Sequence, residues 1–371
     1  MYQPSLREAD QLARQVLTTR LGLKAGENVT IEVYPSSLPW AAGFVREARR
    51  LGAKPLVHYE DENSYWAGVE GGQAKLIGTP GSHEWATLAE TDVYVYFWGP
   101  EDQTRMRGLP EKLQDQLIEF NEEWYERARK AGVRGVRMAI ARATPGNARY
   151  SGVSLDDWRK ELVKSSMLDP KVMARDAEKL RKAMEDAGEV RVWHPNGTDL
   201  TLKLVRRKAT VVLGSATPAA VRARKGRFGF MASVPDGSIF VAPDEKTAEG
   251  TVVSNRPGYG FGYLVRGGRW KFHRGHLVSQ RYSSGGADIR RAYSEGKRGR
   301  DLPAMLEVGL DPTTHMAPML QENEKGAISI GIGSNRAFGG TTDANFNAIL
   351  TVAGAELTID GRVLVRGGRI L

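Results

Sequence analysis

Cysteine is absent from the 371-residue chain, which excludes disulfides, thiolate metal sites and a cysteine nucleophile. No run of roughly 18 or more apolar residues occurs, so no segment reads as a membrane span. Nor does an apolar core follow a basic start at the N-terminus. The expectation is a soluble, cytoplasmic protein with no membrane partner. The chain also lacks a G-x-S-x-G elbow, a P-loop and a G-x-G-x-x-G that follows a strand. Internal repeats and low-complexity segments are not evident.

What is present is a chain too long for one core to accommodate comfortably, with 41% hydrophobic residues, so two domains are expected. A net charge of +9 arises from 53 basic and 44 acidic residues, a modest excess spread along the chain. Local basic clusters stand at Arg222-Ala-Arg-Lys-Gly-Arg227 and Lys297-Arg-Gly-Arg300. They read as solvated loops between strands, or as attraction for an acidic substrate. No aromatic-interleaved basic motif accompanies them, so no nucleic-acid partner is expected.

The N-terminal third alternates helix and strand patterns. Leu6 to Leu21 has amphipathic helical spacing ended by Gly22, and Leu38 to Leu51 a second such pattern ended by Gly52. Asn28 to Val33, Pro55 to Tyr59 and Asp92 to Trp98 read as strands, and the segment Val136 to Ala143 extends the same sheet. This order favours parallel pairing with crossover helices. Leu113 to Ala131 reads as one long helix with Leu113, Leu117, Phe120, Trp124 and Ala128 on one face. A charged helical stretch spans Asp156 to Gly188. From about Leu200 onward, short strands with glycine-rich turns dominate. In Gly326-Ala-Ile-Ser-Ile-Gly-Ile-Gly333, isoleucines alternate with small residues, the period of a half-buried strand. Its small-residue face leaves room for a ligand, a neighbouring backbone or another strand.

An ordered series of segments carries a resemblance. Leu21-Gly-Leu-Lys-Ala-Gly-Glu-Asn-Val29, Trp193-His-Pro-Asn-Gly-Thr-Asp-Leu200, Gly237-Ser-Ile-Phe-Val-Ala-Pro243, Leu306-Glu-Val-Gly-Leu310, Gly326 to Gly333, Phe338-Gly-Gly340 and Phe346-Asn-Ala-Ile349 together resemble the aminopeptidase T family of metallo-aminopeptidases. The resemblance covers nearly the whole chain. It implies an α/β N-terminal domain with a mostly parallel sheet, placed at 1–110, and a β-rich α+β C-terminal domain of the aminopeptidase T type at 111–371. It also implies a site in the second domain and a homodimer. The family's metal ligands are carboxylates and histidines. Glu307 matches one of them, but Ser238 stands in place of a glutamate, Ser329 and Asn347 in place of histidines, and Ile349 in place of an aspartate. Isoleucine has no donor atom, and serine and asparagine are poor ligands for a divalent transition metal. The expectation is therefore that no metal or other cofactor is held.

What remains is a polar pocket with one carboxylate. Glu307 is the candidate general acid or base, with His315, eight residues on, as a second proton carrier. Ser238, Ser329 and Asn347 are candidates to orient a small polar substrate through their hydrogen-bonding groups. His273 and His276 in Phe272-His-Arg-Gly-His276 sit next to glycines that favour a hairpin, where the rings need not converge, so they are read as substrate contacts. Three functions stay open: an enzyme of changed chemistry using the inherited pocket, a metal-dependent aminopeptidase, and a non-catalytic binding protein. Ring-cleaving dihydroxypyridine dioxygenases share the fold, but they keep a His-x-Asp pair that is Asn347-Ala-Ile349 here.

Overall fold

Ser5 begins the ordered structure by accepting a hydrogen bond from the Glu8 amide at 3.1 Å, which caps the helix Leu6–Gln15. The computed structural model describes residues 4–102, 105–186, 188–223, 229–260, 263–315, 318 and 320–371. The basic cluster Arg222–Arg227 lies mostly outside them. The chain divides into two units, residues 1–170 with 214–236, and residues 171–213 with 237–371.

In the first unit five strands pair in parallel: β1 (Asn28–Val33), β2 (Lys54–Tyr59), β3 (Val93–Phe97), β4 (Arg134–Met138) and β8 (Met231–Val234), in the order β2-β1-β3-β4-β8. The expected parallel sheet is therefore present. The helix Leu38–Arg50 crosses the first helix at Gly43, where a Cβ would lie 2.6 Å from the Ala9 carbonyl, so only glycine allows the approach. Phe44 then packs edge-on against Phe97 of β3 at 5.4 Å. Two helices depart from the sequence reading. The first changes to wider π turns over Val16–Arg20. The stretch read as one helix from Leu113 to Ala131 is broken into Glu111–Ile118 and Asn121–Ala131. The break sends its apolar stripe to two places: Leu117 packs with Trp66, Val69 and Ala74, and Ala128 with Tyr94 and Phe230.

Arg20 is fully buried, and its guanidinium donates to the carbonyls of Ser166, Gly214, Ser165 and Leu168 at 2.8–3.1 Å. It thereby satisfies carbonyls at the end of the helix Leu155–Met167, which an α-helix leaves unpaired.

The second unit holds an eight-stranded sheet ordered β14-β13-β10-β6-β5-β18-β19-β20. Its strands are β5 (Gly188–His194), β6 (Thr198–Leu204), β10 (Glu249–Val253), β13 (Arg269–His273), β14 (His276–Arg281), β18 (Glu356–Ile359), β19 (Arg362–Arg366) and β20 (Arg369–Ile370). One face buries Val190, Val192, Leu200, Leu202, Trp270 and Phe272; the other carries Arg191, Asp199, Lys203 and Lys271 in solvent. A five-stranded antiparallel sheet follows the order β17-β16-β15-β9-β7. Its strands are β7 (Thr210–Val212), β9 (Ser238–Val241), β15 (Pro303–Gly309), β16 (Ile328–Gly333) and β17 (Asn347–Val352). A short hairpin of β11 (Gly258–Gly260) and β12 (Tyr263–Val265) completes the strands. The helix Lys171–Glu185 buries Met173, Ala177, Leu180 and Met184 at helical spacing, a stripe that faces inward. β16 has the expected alternation, but all six of its residues are buried, so it is covered on both faces rather than half-buried.

Two outcomes follow for the first unit. Arg20→Met takes the side-chain donor from the Ser166, Gly214 and Leu168 carbonyls, while Ser165 keeps the Leu168 amide, and is expected to cost about 2–4 kcal/mol, read as a lower urea midpoint. Burial pushes the Glu27 carboxyl up, but hydrogen bonds from Arg134, at 2.7 Å, and from the Lys24 amide outweigh it and hold it below its ordinary value. A lowered folded-state value contributes stability that is present above the unfolded value and lost as pH falls through the folded one. Glu27→Gln is therefore expected to melt below wild type at pH 7, with the gap closing below about pH 4.

Candidate functional site

Antiparallel register decides which side chains share a face. Glu307 on β15 pairs with Ser329 on β16 and with Phe240 on β9; Ser329 pairs in turn with Thr351 on β17, and Phe240 with Thr210 on β7. A single row, Thr351, Ser329, Glu307, Phe240, Thr210, therefore crosses all five strands. Directly opposed side chains in such a sheet have Cβ atoms about 4.5–5.5 Å apart. Ser238 pairs with Gly309, one same-face step along β15 from Glu307, which makes it a diagonal neighbour at about 7–8 Å. The opposite face of the same strands carries Val241, Leu306, Ile330 and Leu350, all buried in the core.

The row is dry. Glu307 is 5% exposed, Ser329 0%, Ser238 1% and Thr351 2%. The Ser329 and Thr351 hydroxyls lie 2.9 Å apart and share a hydrogen bond. Each hydroxyl carries one hydrogen and two lone pairs, so the pair keeps a second hydrogen for another acceptor. Gly309 lets a 3₁₀ turn close over the Ser238 end: a Cβ there would meet the Glu324 and Glu322 carbonyl oxygens at 2.1 and 2.5 Å.

The other residues singled out in the sequence lie elsewhere. Asn347 is exposed at the start of β17 and pairs with Gly333, four residues along the strand from Thr351, or about 13 Å. It shares the face but not the row, because the stagger of β17 on β16 carries it past the Glu307 end. Ile349 is half-buried between the two positions. His315 is exposed in the loop beyond β15, where Asp311 accepts from the Thr313 amide at 2.7 Å and from the Thr313 and Thr314 hydroxyls at 2.6 and 3.2 Å. His273 and His276 belong to the other sheet, on the hairpin β13–β14 whose turn has Arg274 and Gly275 at positive φ. Their rings engage separate carboxylates: His273 Nδ1 lies 3.0 Å from Glu249, and His276 Nδ1 2.6 Å from Asp301. Thr351 and Thr210 were missed in the sequence. Nothing in the segment around Thr351 marks it, and only strand pairing sets it beside Ser329.

Glu307 is the one carboxylate in the row, and the hydroxyls of Ser238, Ser329, Thr351 and Thr210 are poor ligands for a divalent transition metal. Among the described residues no group of three or more histidines, aspartates or glutamates is arranged to hold a metal ion. A surface cavity of about 200 Å³ is lined by Arg191, Trp193, Glu356 and Thr358. It lies on the solvent face of the eight-stranded sheet, with Arg191 already held by Asp199 through two contacts of 2.8 Å, and does not include the Glu307 row.

Comparison with solved structures gives the fold. Wild-type AmpT from Thermus thermophilus superposes with a TM-score of 0.69 at 18% identity, covering 98% of this chain and 99% of that one. The 2,5-dihydroxypyridine dioxygenase from Pseudomonas putida KT2440 gives 0.61 at 13% identity, covering 99% and 98%. No curated protein sequence matches the chain. Among the described residues no helix is long and apolar enough to cross a membrane. The family model for thermophilic metalloprotease (M29) matches residues 6–295, well over half of the chain and ending before β15, β16 and β17. The chain thus belongs to the thermophilic metalloprotease (M29) family.

Proposed function

We propose that this M29 member is a divergent enzyme that acts on a small polar substrate without the family's divalent metals, with Glu307 as general acid or base. The observation that carries this reading is the row itself. Glu307 is its one carboxylate, and it stands between Ser329 and Phe240 with Ser238 diagonal to it. A metallo-aminopeptidase uses its metals to activate water and polarise the scissile carbonyl, and the side chains at four of the ligand positions here cannot take that part. A buried carboxylate beside hydroxyl groups suits proton transfer instead. It can take a proton from a substrate oxygen, nitrogen or carbon and return it, while the second hydrogen of the Ser329–Thr351 pair steadies an oxygen that gains charge. Phe240, stacked edge-on with Phe338 at 5.3 Å, supplies an apolar flank. His315 remains a candidate second proton carrier, from the exposed loop.

The reading is tested with leucine p-nitroanilide and leucine amide, assayed with zinc, cobalt or manganese and again with a chelator. The expected result is no release of leucine above background in any condition. Steady release that the chelator abolishes would show an ordinary metallo-aminopeptidase and overturn the reading. Amide, ester and lactone model substrates form the second arm. Turnover found there is expected to be indifferent to chelator and abolished in Glu307→Gln, whose melting temperature should match wild type; turnover that survives this isosteric change removes Glu307 from the chemistry.

A further inference from the structure

Parallel sheets covered by helices usually read as apolar on both faces. The sheet of the first unit follows this over much of its area, but one rung near the carboxyl ends of its strands is polar throughout. There, in register across all five strands, stand His58 on β2, Glu32 on β1, Tyr96 on β3, Arg137 on β4 and Ser233 on β8. One step back on the same face the residues are Leu56, Thr30, Tyr94, Gly135 and Met231. All five members of the polar rung are half-buried, so their polar groups are partly withdrawn from water.

Most of that polarity is unspent. Tyr96 is committed, donating its hydroxyl to the Gly99 carbonyl at 3.0 Å and accepting from the Gly99 amide at 3.1 Å. Glu32 receives the Tyr94 hydroxyl on one carboxylate oxygen only. Arg137 lies 5.4 Å from the centre of the Tyr125 ring, and among the described residues it has no carboxylate within ion-pair distance. A half-buried guanidinium without a carboxylate forfeits hydration with no full return, and Glu32 recovers part of its own from the Tyr94 hydroxyl and from His58 beside it. Arg137 and Glu32 do not neutralise each other because β3 lies between their strands, with Tyr96 standing in the gap. Burial pushes the Glu32 carboxyl up and lowers Arg137, the direction expected of charged groups withdrawn from water.

The position on the sheet adds to this. The chain runs from β1 to β2 on one side and then to β3 on the other, so the strand order reverses between β1 and β3. In open α/β sheets ligands bind beyond the carboxyl ends of the strands at such a reversal. Glu32 and Tyr96 flank it, and their rung is the last on that face of the sheet.

We infer that this rung is a second binding site, for the zwitterion of a free α-amino acid, with Glu32 receiving the ammonium and Arg137 the carboxylate. The spans agree. β1 and β4 are two strand spacings apart, roughly 9–10 Å. The ammonium and carboxylate of an α-amino acid are about 3 Å apart by covalent geometry, and a charge-assisted contact of about 2.8 Å at each end brings the total to roughly 9 Å. Ser233 beside Arg137 offers a hydroxyl to the ligand carboxylate. Glu84 acts on Glu32 as a further negative charge and favours a cation at that end, against the competing positive charge of His58. The Tyr125 ring over Arg137 and the nearby Trp85 give the ligand side chain an apolar wall. This site lies wholly within the first unit and is independent of the Glu307 row.

The test is isothermal titration of the full chain with L-alanine, L-leucine, L-phenylalanine, L-lysine and L-glutamate, with acetate and methylammonium as single-charge controls. At least one amino acid is expected to bind one to one, at least tenfold more tightly than either control. Arg137→Met and Glu32→Gln should each weaken that binding tenfold or more, and Glu307→Gln should leave it unchanged. If Arg137→Met does not fold, Arg137→Lys, which keeps the charge and loses the planar fork, is expected to weaken binding by a smaller factor. No measurable binding of any amino acid, acetate binding as tightly as the amino acids, or affinity unmoved by the Arg137 change overturns the inference.

Discussion

The pairing of β15 with β16 on one side and β9 on the other is the constraint on which the second unit's chemistry depends. Side chains on a strand alternate faces with a period of two, so a slip of one residue would carry Glu307 into the apolar core and Leu306 to its place. The core prevents this. Leu306, Ile330, Val241 and Leu350 occupy one face and are closed to solvent, and their burial fixes the register that sets Glu307 beside Ser329. The polar row is thus held by the hydrophobic effect acting on the opposite face. The row therefore keeps its geometry whatever polar residues it carries.

Local patterns in the sequence reached as far as local forces do. Asn28–Val33 has its expected bounds as a strand, and the helix from Leu38 ends one residue before its expected end, because alternation and amphipathic spacing are properties of short windows. Where tertiary forces override the window, the reading differs. The turn between Ile118 and Asn121 divides an apolar stripe that looks continuous, since its two halves pack against different partners. β8 joins the parallel sheet from residues 231–234, far along the chain from β4, and no local signal announces such a return.

The candidate site shows the same boundary. Ser238, Ser329 and Glu307 were legible through the family-like segments around them, and pairing does bring them together. Asn347 was legible by the same route, yet it lies past the row, because the stagger of β17 on β16 is written in long-range pairing rather than in the segment itself. Thr351 is the converse case: nothing in its immediate sequence marks it, and register makes it the hydrogen-bonding partner of Ser329. The His58–Glu32–Tyr96–Arg137–Ser233 rung was invisible for this reason too, since five separate strands each contribute one residue. The M29 match itself ends at residue 295 and does not extend over the strands that carry Glu307, Ser329 and Thr351.

The central proposal is that this M29 chain holds no divalent metal beside Glu307, whose neighbours in the row offer hydroxyl groups rather than carboxylates or imidazoles. Elemental analysis tests it most directly, on protein purified without added metal and then dialysed against zinc, cobalt or manganese. The account predicts well under one tightly held ion per chain; one or two ions per chain that survive mild chelation would contradict it.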